Sequence, residues 1–306
     1  MPSVFIDGEA GTTGLGIRQR LAGMDGISLV EVARAHRKDP AARRDAMAQA
    51  DLAVLCLPDD AARESAALAD GLGNAAPRLL DASTAHRVVP GWIYGFPELA
   101  PGQSQAIAAA RRVANVGCYA LGAIALLRPL LDAGLIGPDE ALSINAVSGY
   151  SGGGRQMIEA HEASGGPAFE LYALGLEHKH VPEIMAQSRL ARRPVFVPSV
   201  GHFAQGMLVS IPLHLEALDA RPSAAALHAA LAAHYQGARS VRVMPQETSG
   251  RLVADALAGQ DWLELFVFAH ERHRHAVLAA RLDNLGKGAS GQAVQNISLM
   301  LGLDHG

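Results

Sequence analysis

Asn115-Val116-Gly117-Cys118-Tyr119 sets a cysteine directly before a helical apolar stripe, Leu121, Ile124, Leu127 and Leu131. The first N–H groups of a helix have no carbonyl partner and carry partial positive charge, which favours thiolate over thiol and can hold a developing oxyanion. A thiolate has a definite chemistry: it attacks an activated acyl group, and the resulting thioester can accept hydride from a neighbouring donor. Cys56 sits inside an apolar run and reads as a small buried hydrophobe.

That chemistry needs an acid/base group, and with 13 histidines in the chain only spacing can select one. His178-Lys179-His180-Val181-Pro182-Glu183 places two imidazoles at i and i+2, on one face if the segment is extended, with the Glu183 carboxylate near enough to orient a ring. His202, in Gly201-His202-Phe203 after a strand, competes with that pair, as does His86 in the polar loop Ser83-Thr84-Ala85-His86-Arg87. His270, His273 and His275 form H-x-x-H-x-H near a strand, but without further ligands they read as an exposed polar edge, and no metal is expected.

Two kinds of loop could hold anions. Gly8-Glu9-Ala10-Gly11-Thr12-Thr13-Gly14 lies between an apolar run and a helical segment, where backbone N–H groups and the helix start can cradle a pyrophosphate. After the second strand, which contains Glu31, come Arg34, His36, Arg37 and Lys38, a positive concentration suited to a 2′-phosphate and hence to NADP. Ser148-Gly149-Tyr150-Ser151-Gly152-Gly153-Gly154-Arg155 offers hydroxyls, free backbone N–H groups and a guanidinium for a departing phosphate. Asn284-Leu285-Gly286-Lys287-Gly288-Ala289-Ser290-Gly291 leads into the last helix and brings Gly288 and Ser290 to a second helix start, although turn chemistry alone would also explain its glycines.

These groups must be positioned by a core, and 306 residues, 49% of them hydrophobic and 18% charged, allow two ordinary domains and exclude a disordered chain. A net charge of -4 gives no basic field for nucleic acid, and the most apolar stretch, 119–137, is interrupted by Arg128, Pro129 and Asp132, so no membrane span is expected. Two cysteines make no disulfide framework, and no basic leader precedes an apolar run at the start, so the reading is a soluble cytoplasmic protein. Strands at 4–6, 27–32, 52–57 and 79–81 alternate with helices at 15–21, 41–50 and 60–72, which predicts an α/β, Rossmann-like doubly wound parallel sheet. Strands at 141–147, 195–200, 207–213, 241–244, 262–268 and 276–282 then arrive largely without helices between them, predicting a second, α+β domain on an antiparallel sheet. Helices are expected at 223–235 and 288–303.

The blocks IDGEAGTTGLGI, LCLPDDAARE, NVGCYALG, SGYSGGGR, EHKHVPEI and DNLGKGASGQAVQN, in that order, resemble the N-acetyl-gamma-glutamyl-phosphate reductases of arginine biosynthesis in their shorter form. The resemblance covers essentially the whole chain. It implies NADPH-dependent reductive dephosphorylation of N-acetyl-gamma-glutamyl phosphate to N-acetylglutamate 5-semialdehyde. It makes Cys118 the nucleophile, gives the acid/base role to His178 or His180 with Glu183 as orienter, sets Pro58 and Asp59 beside the dinucleotide, and brings the terminal glycine block near the nicotinamide. It further implies a discontinuous NADP-binding domain, 1–115 plus 284–306, around a catalytic domain, 116–283, in a homo-oligomer. The sequence departs from the family at Leu121, where a threonine is usual. Aspartate-semialdehyde dehydrogenase, whose histidine follows a glycine much as His202 does, is the neighbouring enzymatic reading, and a non-catalytic NADP-binding redox sensor is the alternative from another class.

Overall fold

The structure is a computed structural model that describes residues 1–246 and 250–303. They fall into two compact units: Met1–Pro97, Pro101–Val116 and Ala289–Gly306 form the first, and Glu98–Ala100 with Gly117–Gly288 the second.

The first unit runs β1 (Ser3–Asp7), α1 (Thr12–Ala22), β2 (Ser28–Val30), α2 (Pro40–Ala48), β3 (Leu52–Leu55), α3 (Asp59–Asp70), β4 (Arg78–Asp81), β5 (Ile93–Gly95), α4 (Gln103–Ala109) and β6 (Arg112–Asn115). Its strands pair in parallel in the order β2-β1-β3-β4-β6-β5, so the chain winds to both sides of β1 and the glycine loop after β1 lies at the switch point. Leu52, Ala53, Val54 and Leu55 are all fully buried, as a strand covered on both faces requires. The short β5 and β6 carry no period-2 pattern long enough to be read from sequence.

The second unit holds α5 (Cys118–Asp132), β7 (Ser143–Gly149), α6 (Arg155–Ser164), β8 (Phe169–Leu171), α7 (His180–Ser188), β9 (Val195–Gly201), β10 (Met207–His214), α8 (Ala224–His234), β11 (Val241–Val243), β12 (Leu263–His270) and β13 (His275–Leu282). The sheet order is β11-β12-β13-β10-β7-β9-β8. Antiparallel pairing dominates, as expected, but β7 with β9 and β11 with β12 are parallel, so the sheet is mixed. The chain between β7 and β9 carries two helices, and a crossover of that length returns a strand in the same direction. The α5 helix packs on one face of this sheet. At Gly122 a Cβ would stand 2.7 Å from Val209 Cγ2 and 3.4 Å from Ala280 Cβ, so glycine is what lets helix and sheet approach this closely. Helix α9 (Gly291–Leu301) returns to the first unit, where Ala293, Ile297 and Met300 join Val4, Ile6, Leu52, Val54, Ile17 and Leu21 in one core cluster.

Candidate active site

Cys118 is the first residue of α5, with Gly117 as its N-cap. The Gly117 N–H donates to Glu183 Oε1 at 2.7 Å, and Glu183 is buried on the first turn of α7. One carboxylate therefore ties the helix that carries the thiol to the helix that carries His180. Tyr119 donates from its hydroxyl to the Ser199 carbonyl at 2.8 Å, and its ring lies 5.9 Å from both the His178 and His180 rings. Burial, helped by the neighbouring Tyr172 and Cys118, pushes the Tyr119 phenol well up; the Tyr172 phenol is pushed up to about 12, again by burial first, with Cys118 contributing. The thiol, two tyrosines and two histidines thus share one neighbourhood in the second unit.

Residues 178–180 are not extended: Lys179 is helical and His180 opens α7. The His180 N–H donates to His178 Nδ1 at 3.1 Å, so the His178 ring caps the start of α7 and its proton resides on Nε2, which faces the Tyr172 hydroxyl at 3.4 Å. Burial, and then the Lys179 charge, lower the His178 pKa to about 4, so the ring is neutral near pH 7.

His202 is engaged elsewhere: its Nδ1 lies 2.9 Å from Nδ1 of His161, which stacks on Tyr150 at 4.7 Å. His86 belongs to the first unit, buried against Trp92 with Nδ1 2.6 Å from Asp81 Oδ2. His270, His273 and His275 cluster at the turn between β12 and β13, and among the described residues no group of three or more His, Cys, Asp or Glu could hold a metal ion.

The Ser148–Arg155 loop differs from its expected form. The N–H groups of Gly149, Tyr150 and Ser151 donate to the carbonyls of Gly206, Phe203 and Ala204, and that of Gly154 to Ser151, because the end of β7 continues its ladder into the turn before β10. Ser148 Oγ donates to the Gly149 carbonyl at 2.9 Å. Gly152 and Gly153 lie in a 3-10 turn over Tyr150–Gly153, and at the start of α6 the Arg155 side chain is exposed.

In the first unit, Gly8 has φ +91° and a Cβ there would overlap the Cys56 carbonyl, while one on Gly14 would come within 2.6 Å of the Gly8 carbonyl. The turn therefore presents bare backbone, and Gly11 caps α1, whose first residues are Thr12 and Thr13. These features fit a pyrophosphate. Arg37 pairs with Glu9 of the glycine loop, Arg18 pairs with both Glu9 and Glu31, and Arg34 and Lys38 are exposed nearby in sequence. Pro58 caps α3, and Asp59 accepts from Thr84 N and Oγ1. A Cβ on Gly16 of α1 would stand 2.9 Å from Ser290 Oγ, and one on Gly288 2.9 Å from Cys118 Cβ. Tyr172, His161 and Arg18 lie in no motif whose spacing marks them, and Glu9, although inside the glycine loop, carries no signal of its pairing with Arg18 and Arg37.

The chain is 53% identical to the N-acetyl-gamma-glutamyl-phosphate reductase of Brucella ovis over 309 aligned residues, covering 98% of this chain and 99% of the relative, and the Brucella melitensis reductase matches equally well. It belongs to that reductase family. Residues 118–284 also match the semialdehyde dehydrogenase dimerisation domain family. Among solved structures, aspartate semialdehyde dehydrogenase II of Vibrio cholerae superposes with a TM-score of 0.71 at 17% identity over 98% of each chain, and the Candida albicans aspartate semialdehyde dehydrogenase, solved with NADP, with 0.69 at 14% over 98% of each. The fold is theirs, and the sequence is that of the reductases.

Proposed function

We propose that the protein is an NADPH-dependent acyl-phosphate reductase that converts N-acetyl-gamma-glutamyl phosphate to N-acetylglutamate 5-semialdehyde and phosphate. The observation that carries this reading is Cys118 at the first turn of α5, among His178, His180 and Glu183, in a chain of this family. The Cys118 thiolate attacks the acyl carbon, and the carbon–oxygen bond to phosphate breaks with its electron pair leaving on phosphate. Arg155 and the Gly152-Gly153 stretch receive the departing anion. NADPH, when bound, supplies the hydride that lowers the thioester to the aldehyde level. The neutral His178 ring offers its Nε2–H to the oxygen that gains charge and takes a proton back as the carbon–sulfur bond breaks, which regenerates the thiolate. His180 is the second residue able to fill that role.

Dinucleotide binding belongs to the first unit: Gly8, Gly11, Thr12, Thr13 and Gly14 hold the pyrophosphate, Arg34, Arg37 and Lys38 the 2′-phosphate, with Pro58 and Ser290 bordering. The second unit carries the thiol chemistry. No described helix is long and apolar enough to cross a membrane. We place the reaction in the cytoplasm, where Cys56 and Cys118, neither of them in a disulfide, stay reduced.

The chain works as a homo-oligomer whose second copy docks on the sheet face turned away from α5. Val209 and Ala280 face that helix, and the alternate residues Val277, its β10 partner Pro212 and its β12 partner Phe268 face the other way, with Val277 38% exposed.

The test runs the reaction in reverse, adding phosphate and NADP to N-acetylglutamate semialdehyde or aspartate semialdehyde and following NADPH. A preference of at least about tenfold for the acetylated compound is expected, given that one methylene in a pocket contributes roughly 1–3 kcal/mol. Preference for aspartate semialdehyde would move the chain to the neighbouring activity, and oxidation without phosphate would end the acyl-phosphate reading.

A further inference from the structure

Lys287 stands between two glycines in the segment that reaches Cys118, and its side chain is buried to 1% exposure. Its Nζ lies 3.3 Å from both Glu98 carboxylate oxygens and donates to Ser240 Oγ at 2.6 Å, while Ser240 Oγ donates to Glu98 Oε1 at 2.6 Å. Burial pushes the ammonium pKa down, and the Glu98 charge opposes that shift. Glu98 comes from the stretch Glu98–Ala100, which belongs to the second unit although the chain on either side belongs to the first. Its carbonyl also accepts from His234 Nε2 at 3.0 Å.

A pair this deep costs roughly as much desolvation as its attraction returns, so stability alone does not account for it. Its place in the chain does. A Cβ on Gly288 would stand 2.9 Å from Cys118 Cβ and 3.3 Å from Cys118 Cα, and one on Gly286 would overlap the Gln260 carbonyl. The backbone of 286–288 is therefore wedged between Cys118 and Gln260, and Lys287 supplies its only side chain. A force on that side chain is a force on the backbone touching the thiol residue.

We propose that Lys287, locked to Glu98 and Ser240, is a positioning residue for the Cys118 nucleophile: the buried pair fixes the Gly286-Lys287-Gly288 backbone against Cys118 and so sets the direction in which its thiol leaves the first turn of α5. The inference rests on Cys118 being the nucleophile of the reaction proposed above.

The test uses the full chain and compares wild type, the paired variant Lys287→Met/Glu98→Gln, Ser240→Ala and Cys118→Ser. One readout is the kcat and KM of the reverse reaction. The other is the pH profile of Cys118 alkylation by iodoacetamide without substrate or cofactor, followed by mass spectrometry. The paired variant should melt close to wild type, since neutral replacement of a buried pair is often neutral for stability. Its kcat should fall about tenfold or more with KM changed less than about threefold, because misplacing a reacting group by about 1 Å costs on the order of 100-fold. Its alkylation rate near pH 7 should fall in parallel. A folded paired variant with wild-type kcat and alkylation profile, or one in which only KM rises, overturns the proposal. If the paired variant does not fold, Ser240→Ala carries the same test at roughly threefold amplitude, and wild-type behaviour there also overturns it. Turnover by Cys118→Ser would instead remove the nucleophile reading itself; an inactive Cys118→Ser beside unaffected Lys287 variants would remove only the positioning role.

Discussion

Cys56 and Cys118 carry the same thiol and are set apart by surroundings alone. At Cys56, burial, and then the carboxylates of Asp81 and Asp7, push the thiol pKa far above its ordinary value. Cys118 stands at the start of a helix, where the positive end of the helix dipole favours the anion. Cys118→Ser should abolish turnover while NADPH, titrated by its fluorescence, binds within about twofold of wild type, because a serine hydroxyl lacks the accessible anion; retained turnover would contradict this. Arg37→Ala should weaken NADPH binding by roughly 10- to 100-fold and leave NADH nearly unchanged, reflecting one charge-assisted bond of about 1.5–3 kcal/mol. Steady-state kinetics with both cofactors decide it, and equal losses would move the 2′-phosphate site elsewhere. His178 gives a prediction with a definite sign. Its folded pKa of about 4 lies below the ordinary 6.5, so the unfolded chain binds more protons between those values, and stability present above pH 6.5 is lost as pH falls toward 4. Melting midpoints over that window should fall more steeply in wild type than in His178→Asn; parallel slopes would remove His178 as the cause. Residue types and local spacing revealed Cys118, the histidine pair and the glycine loop. They did not reveal Tyr172, six positions before His178, or the pairing of Lys287 with Glu98, 189 positions away, since neither leaves a local pattern.

Elements whose hydrophobic period survives over several residues were legible, and those fixed by a single contact were not. β3 reads as a buried strand because each of its residues is apolar, and α5 reads as a helix from its stripe. The 178–180 segment offers no such period, and the ring-to-backbone bond that turns it into the start of α7 is invisible before folding. The mixed pairing of the second sheet has the same origin, for strand direction is set by the crossover between strands and not by the strands themselves. Turn conformation is where an element exerts most leverage here. At Gly8, φ +91° and the overlap with the Cys56 carbonyl both exclude a side chain, so Gly8→Ala should destabilise the protein by about 1–3 kcal/mol and weaken NADPH binding together. Chemical denaturation and cofactor titration on one preparation check this; a stable variant with normal affinity would show that the turn tolerates rearrangement.

For the molecule as a whole, length and composition allow two domains, while the split of the first unit across the sequence follows only from resemblance, because no periodicity tells a terminal helix which core it joins. The face of the second sheet turned away from α5 is the whole-molecule feature most open to test. Val277→Glu places a charge among Pro212 and Phe268 on that face, and sedimentation velocity should show the oligomer shifting toward monomer; an unchanged coefficient would place the copy-to-copy contact elsewhere. The return of α9 to the first unit also orders events during synthesis. Strand β1 leaves the ribosome well before α9, and the core it belongs to lacks Ala293, Ile297 and Met300 until α9 follows, which at about 5–20 residues per second is tens of seconds later. Gly95 and Asn115 wait a shorter time, 201 and 181 residues, for Asn296, whose amide Nδ2 donates to the Gly95 carbonyl and to Asn115 Oδ1, both at 2.9 Å. The nascent first unit must therefore persist with an open flank while the second unit is being made, and a chaperone that shields Ile6, Val54 and Leu80 would be most needed in that interval.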